Sequence, residues 1–171
     1  HADFDASLAT AGGITMLISG GTIVSSLLSD RVTRRFGAGL VTAVSVGMTA
    51  VSLLGFSLSG RIWQLCLWAI PYGLGAGSVD AALNNYVAIH YKSHHMSWLH
   101  CMWGVGASIS PYIMSFSLVQ LKNWSYGYLI VAGIQVVLST VIFATLPLWN
   151  KEKTENNDST NTEVQAHALS F

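Results

Sequence analysis

Ser29–Gly37, SDRVTRRFG, is a cationic turn wedged between two apolar runs, each long enough to cross a bilayer. On both sides of it, apolar stretches of about 20 residues recur along the chain, the length a helix needs to span hydrocarbon. They predict helices at roughly 7–28, 38–58, 62–90, 97–120 and 126–148. The expected fold class is therefore all-α, a polytopic membrane protein with short connections between its helices.

Composition agrees with this reading. The 171 residues are 51% hydrophobic and only 9% charged, with a mean hydropathy of +0.49. A soluble domain carries about 25% charge. The formal net charge is zero, which leaves no electrostatic case for a nucleic-acid partner. Gly and Ser are scattered through the spans, where small residues let neighbouring helices approach closely. Cys66 and Cys101 fall near opposite membrane faces, so no disulfide is expected between them. No stretch has the form of a signal peptide.

Orientation follows from Lys and Arg. Arg31, Arg34 and Arg35 follow the first span, Lys92 the third, and Lys151 and Lys153 the fifth. All six fall on one side, with Arg61 and Lys122 opposite, so the six-residue side is expected to be cytoplasmic. Asp3, Asp5, Trp124, Tyr126 and Tyr128 then face out, while Trp98 and Trp149 mark the inner interface. Residues 150–171 are polar, almost without aromatics, and are expected to form a disordered cytoplasmic linker or tail.

Asp80 is the one acidic residue within any predicted span, about 6 Å from the middle of its helix at about 1.5 Å per residue. A carboxylate at such depth costs about 2.5–3.5 kcal/mol on insertion scales, and such residues face a bundle interior or a water-filled cavity and serve ion or proton pathways. Asn84 lies one turn on and shares its face. Gly73, Gly77 and Ala81 form a neighbouring small-residue stripe suited to close helix contact. His100 and Trp103, three apart on the next helix, project together. A Trp face beside hydrogen-bonding groups suits a sugar, whose ring stacks while its hydroxyls are satisfied by Asp80, Asn84 and His100. Trp68 reads as packing. His90 and His94 have i, i+4 spacing for zinc only if the helix continues and a third ligand is supplied, so neither a metal site nor a cofactor is expected.

The turn and the two polar helices together resemble a known family. Asp30, Arg31, Arg34 and Arg35 match the loop after the second helix of the major facilitator superfamily, with Ser26 and Thr33 where glycines are usual. Gly73–Ala88 (GLGAGSVDAALNNYVA) and Trp98–Ile113 (WLHCMWGVGASISPYI) are similar to the fucose permease branch of proton-coupled sugar symporters. That branch has an acid four before an Asn, matched by Asp80 and Asn84. Where its fifth helix offers Gln and Asn, this chain places His100 and Trp103. Gly106–Pro111 (GASISP) resembles a motif of proton-coupled drug antiporters, with Ser110 in place of a glycine.

The resemblance implies a secondary transporter of a sugar or similar small polar solute with protons, in the plasma membrane. Asp80 would bind proton or sugar, and Asp30 would pair with Arg in a conformational latch. It further implies that the chain is five helices of a six-helix N-terminal half, its partners being the bilayer, a preceding helix and a C-terminal half. Residue 1 is His rather than Met, which fits a missing start. The alternatives are a multidrug/proton antiporter half and a truncated, non-transporting membrane protein. An enzyme is not expected. An aspartyl protease needs two membrane aspartates, and Ser108 and His100 stand about 12 Å apart along one helix, too far for a nucleophile and its base.

Overall fold

In a computed structural model of the chain, the backbone is described for residues 8–168 and the side chains for 9–147. Asp3 and Asp5, and the side chains of Trp149, Lys151 and Lys153, lie outside the described residues. Five helices make up the described chain: α1 (Leu8–Phe36), α2 (Ala38–Leu58), α3 (Ile62–His90), α4 (Ser93–Val119) and α5 (Trp124–Ala168). Four of them, over Ala9–Phe36, Ala38–Leu58, Ser93–Val119 and Trp124–Pro147, are long and apolar enough to cross a membrane. The 29-residue α3 is long enough but less apolar, because Gly73, Gly75, Gly77, Asp80, Asn84 and Asn85 interrupt it.

The solvent pattern is inverted relative to a water-soluble protein. The fully buried side chains of greatest volume are Thr42, Ser29, Ser52 and Ser117, while Met16, Leu27, Leu58 and Trp63 stand outward. Among helices in lipid, packing of small and hydroxyl side chains replaces the burial of large apolar ones. An apolar cluster, Leu53, Phe56, Ala69 and Ala132, ties α2, α3 and α5 together at one end. Phe56 sits there 5.8 Å from the ring of Tyr72 and 5.5 Å from that of Tyr128.

Helix α3 is the central element, packed extensively against α1 on one side and α2 on the other, while α5 covers the far side of α2. Helix α4 leans chiefly on α5 and only brushes α3. The α1–α3 seam is where the glycines bring α3 closest to a neighbouring backbone. A Cβ on Gly73 would lie 2.4 Å from the Ile18 carbonyl oxygen, and one on Gly77 2.4 Å from that of Thr22. Hydroxyls stitch the seam: Thr22 Oγ1 lies 3.3 Å from Gly73 O, Ser26 donates to Gly77 O at 3.3 Å, and Ser25 bonds Ser78.

The structure departs from the sequence-based expectation at two helix ends. Helix α1 does not stop near residue 28 but runs to Phe36, so the SDRVTRRFG stretch is helix except for its final glycine. Asp30 and Arg34 pair one turn apart, and Arg34 and Arg35 lie in the last turn, where cations meet the negative end of the helix dipole. Only Gly37, with φ +86°, breaks the helix before α2. The second departure is in α5, whose backbone continues as helix to Ala168 through the segment expected to be disordered. That segment holds no Gly or Pro after Pro147 and includes good helix formers such as Lys151, Glu152 and Lys153.

Candidate functional site

A cavity of about 800 Å³ opens among the five helices. Its size is in the range of small-molecule sites, about 300–1,000 Å³. Asp80, Asn84, His100 and Trp103 all line it. Asp80 and Asn84 enter from α3, on the same side of the helix as the glycines held against α1 but one to three turns further along. His100 and Trp103 enter from α4, which leans away from α3 and leaves the space between them open.

Donor and acceptor roles follow from the partners. Asn84 Nδ2 donates to Asp80 Oδ1 at 3.2 Å. One N–H of Asn84 is thereby committed, and its Oδ1 is enclosed with no hydrogen-bond partner among the described residues. His100 Nδ1 lies 3.0 Å from the Met96 carbonyl oxygen. A carbonyl only accepts, so Nδ1 carries the proton and Nε2 of the neutral ring is left as an acceptor. Asp80 and His100 thus offer acceptors to a ligand rich in hydroxyl donors. Trp103 is 74% exposed, its face bare beside them. Leu53, Val79, Leu83, Leu99 and Val131 supply the apolar remainder.

The cavity also draws in residues the sequence reading did not single out: Thr22 of α1, Thr49 of α2, Tyr72 of α3 and Gln135 of α5. For Gln135 a signal existed, because it is the one amide in the apolar part of α5, as Asp80 is the one acid of α3. The threonines gave none. Thr22 and Thr49 both bond carbonyls of their own helices, as hydroxyls throughout these spans do.

The charged end of α1 lies away from the cavity. Arg34 Nη2 is 3.0 Å from Asp30 Oδ2 and its Nε donates to Oδ1 at 3.2 Å, a two-point pair one turn apart. The Arg35 guanidinium lies 5.6 Å from the Phe36 ring centre. Arg31 stands on the same exposed helix end. The zinc spacing of His90 and His94 is broken, because α3 ends at His90 and α4 begins at Ser93. His90 instead stacks on Tyr86 at 4.4 Å. Cys66 and Cys101 are free thiols. Trp68 packs against the apolar cluster.

The sequence pattern of the Major Facilitator Superfamily matches residues 1–170. The chain belongs to this superfamily. It is 24% identical over 155 residues to "Bypass of stop codon protein 6" of Saccharomyces cerevisiae, covering 85% of this chain and 31% of that protein. It is 29% identical over 107 residues to "Uncharacterized transporter y4wD" of Sinorhizobium fredii, covering 61% and 28%. To the "Glucose/mannose transporter GlcP" of Bacillus subtilis it is 26% identical over 91 residues, covering 52% and 22%. The chain thus spans less than a third of the length of these relatives. No solved structure matches it at the level these relatives do.

Proposed function

We propose that this chain is part of a secondary active transporter that carries a sugar or similar small polar solute together with protons by alternating access. The observation that carries the reading is the convergence of Asp80, Asn84, His100 and Trp103 on one cavity. Asp80 takes up the coupling proton or a sugar hydroxyl, Asn84 holds the Asp80 carboxylate, His100 Nε2 accepts from a hydroxyl, and Trp103 stacks on the ring. Superfamily membership and the likeness to a glucose/mannose transporter support the same solute class.

The cavity is a half-site. In the transporter it is closed by the rest of the protein, a preceding helix and a C-terminal half, with the solute near the bilayer midplane between them. Asp30 with Arg31, Arg34 and Arg35 acts as a latch at the cytoplasmic end. The excess of Lys and Arg at that end supports a plasma-membrane orientation with residues 150–171 inside. Against a multidrug antiporter stands the lining, which among the described residues has Met102 as its one methionine and no phenylalanine.

Proton uptake into proteoliposomes carrying the full natural chain tests this directly, with sugars of a panel added one at a time. Alkalinisation of the medium on adding particular sugars is expected. Proton movement that no sugar alters would leave the symport reading without support and favour the antiporter.

A further inference from the structure

Gln135 belongs to the cavity wall but has no part in the assignment above. It lines the cavity from α5, and its Nε2 donates to Thr49 Oγ1 of α2 at 2.9 Å. Thr49 Oγ1 in turn donates to the Val46 carbonyl at 2.8 Å. A hydroxyl has one proton, and here the carbonyl, which can only accept, takes it. Thr49 Oγ1 is therefore left to Gln135 as an acceptor, and the amide nitrogen must face it. Turning the amide over would set Oε1 against an oxygen with no proton between them.

The consequence is a fixed presentation. Oε1 and the second N–H of Nε2 are directed away from Thr49, and Oε1 has no hydrogen-bond partner among the described residues and is not among the enclosed, unpartnered atoms. Asn84, the other amide of the lining, cannot serve in the same way. Its oxygen is enclosed and so cannot accept from a ligand as Oε1 of Gln135 can. Asp80 as the carboxylate and the free nitrogen of His100 offer acceptors alone.

We propose that Gln135 is the specificity-determining residue of the cavity, binding two adjacent hydroxyls of a polyol, and that Thr49 is the positioning residue that sets its amide. Oε1 accepts from one hydroxyl while Nε2 donates to its neighbour. The preferred ligands are compounds with a vicinal diol, such as monosaccharides and cyclic polyols. This rests on the polar-solute reading above and narrows it.

The test uses the full natural chain in proteoliposomes, with D-glucose, D-mannose, D-galactose and L-fucose as probes and the monodeoxy analogues of whichever sugar binds best. A site built to hydrogen-bond a hydroxyl rejects the analogue that lacks it. Wild type is expected to bind two analogues missing neighbouring hydroxyls at least about tenfold more weakly than the parent sugar. The near-isosteric Gln135→Met is expected to bind parent and those analogues alike. Thr49→Val is expected to reduce the discrimination, and Thr49→Ser, which keeps the hydroxyl, to restore it. Thermal unfolding of each variant checks that it remains folded. Undiminished discrimination in folded Gln135→Met would overturn the role of Gln135 while leaving the polar-solute reading intact. Failure of wild type to bind any of the sugars would overturn both.

Discussion

Asn84 Nδ2 donates to Asp80 Oδ1 across one turn of α3, at 3.2 Å, inside the cavity rather than in the packed seam. The pair orients the carboxylate, which stays open to the cavity, while the half-buried Asn84 keeps an enclosed Oδ1 with no hydrogen-bond partner among the described residues, so an apolar side chain of similar size leaves nothing unsatisfied there. Replacing Asn84 with Leu is therefore expected to spare the fold and weaken solute binding. A hydrogen bond to a charged group contributes about 1.5–3 kcal/mol, roughly 10–100-fold in affinity. Equilibrium binding alongside thermal unfolding in detergent separates the two effects. A collapse of stability with unchanged affinity would reassign Asn84 to packing.

The polar pair was legible in the sequence because an acid followed by an amide one turn later stands out against an apolar run. Gln135 was equally isolated in α5, but its role depends on Thr49, which is 86 positions away along the chain, and no local pattern encodes that meeting. Helix existence was legible from the length of the apolar runs. The end of α1 was not, since SDRVTRRFG carries four charged residues and two hydroxyls that read as a loop, and only the Asp30–Arg34 pairing and Gly37 reveal a helix ending at Phe36. The polar stretch after Pro147 misled in the same way, because composition reports affinity for water and not whether a backbone already helical continues.

The α1–α3 seam predicts a contrast between glycines. A methyl group at Gly73 or Gly77 would meet a carbonyl oxygen of α1 at 2.4 Å, which no side-chain rotation relieves. Gly73→Ala and Gly77→Ala are each expected to destabilise by about 1–3 kcal/mol, as overpacking does. Gly133→Ala, with nothing within 4 Å of the added carbon, is expected to be neutral or to stabilise by up to about 1 kcal/mol through helix propensity. Unfolding midpoints in detergent check the ranking, and equal effects at all three positions would contradict the close seam.

Trp103 stands bare beside His100, so its substitution separates stacking from packing. Trp103→Ala is expected to weaken sugar binding about tenfold, and Trp103→Phe to retain most of it, because an aromatic face contributes about 0.5–1.5 kcal/mol beyond its area. The unfolding midpoint is expected to stay within a degree or two of wild type, roughly the effect of a surface change. Binding titrations with both variants decide it, and equal losses in the two would argue against stacking.

The Asp30–Arg34 pair is exposed on one helix, and such pairs contribute under about 1 kcal/mol to stability. Asp30→Asn is thus expected to leave folding and solute affinity unchanged while lowering the transport rate, if the charge acts as a latch between conformations. Uptake rates compared with equilibrium binding test this. Parallel loss of both would place Asp30 in the fold and not in the cycle.

The most direct test of the central claim is Asp80→Asn in the full natural chain, assayed in proteoliposomes for sugar-driven proton uptake and for sugar exchange between equal pools. Asn keeps the size and the hydrogen-bonding reach of the carboxyl group but cannot exchange a proton. The account predicts that proton uptake is abolished while exchange persists. Proton uptake undiminished in the variant would contradict it.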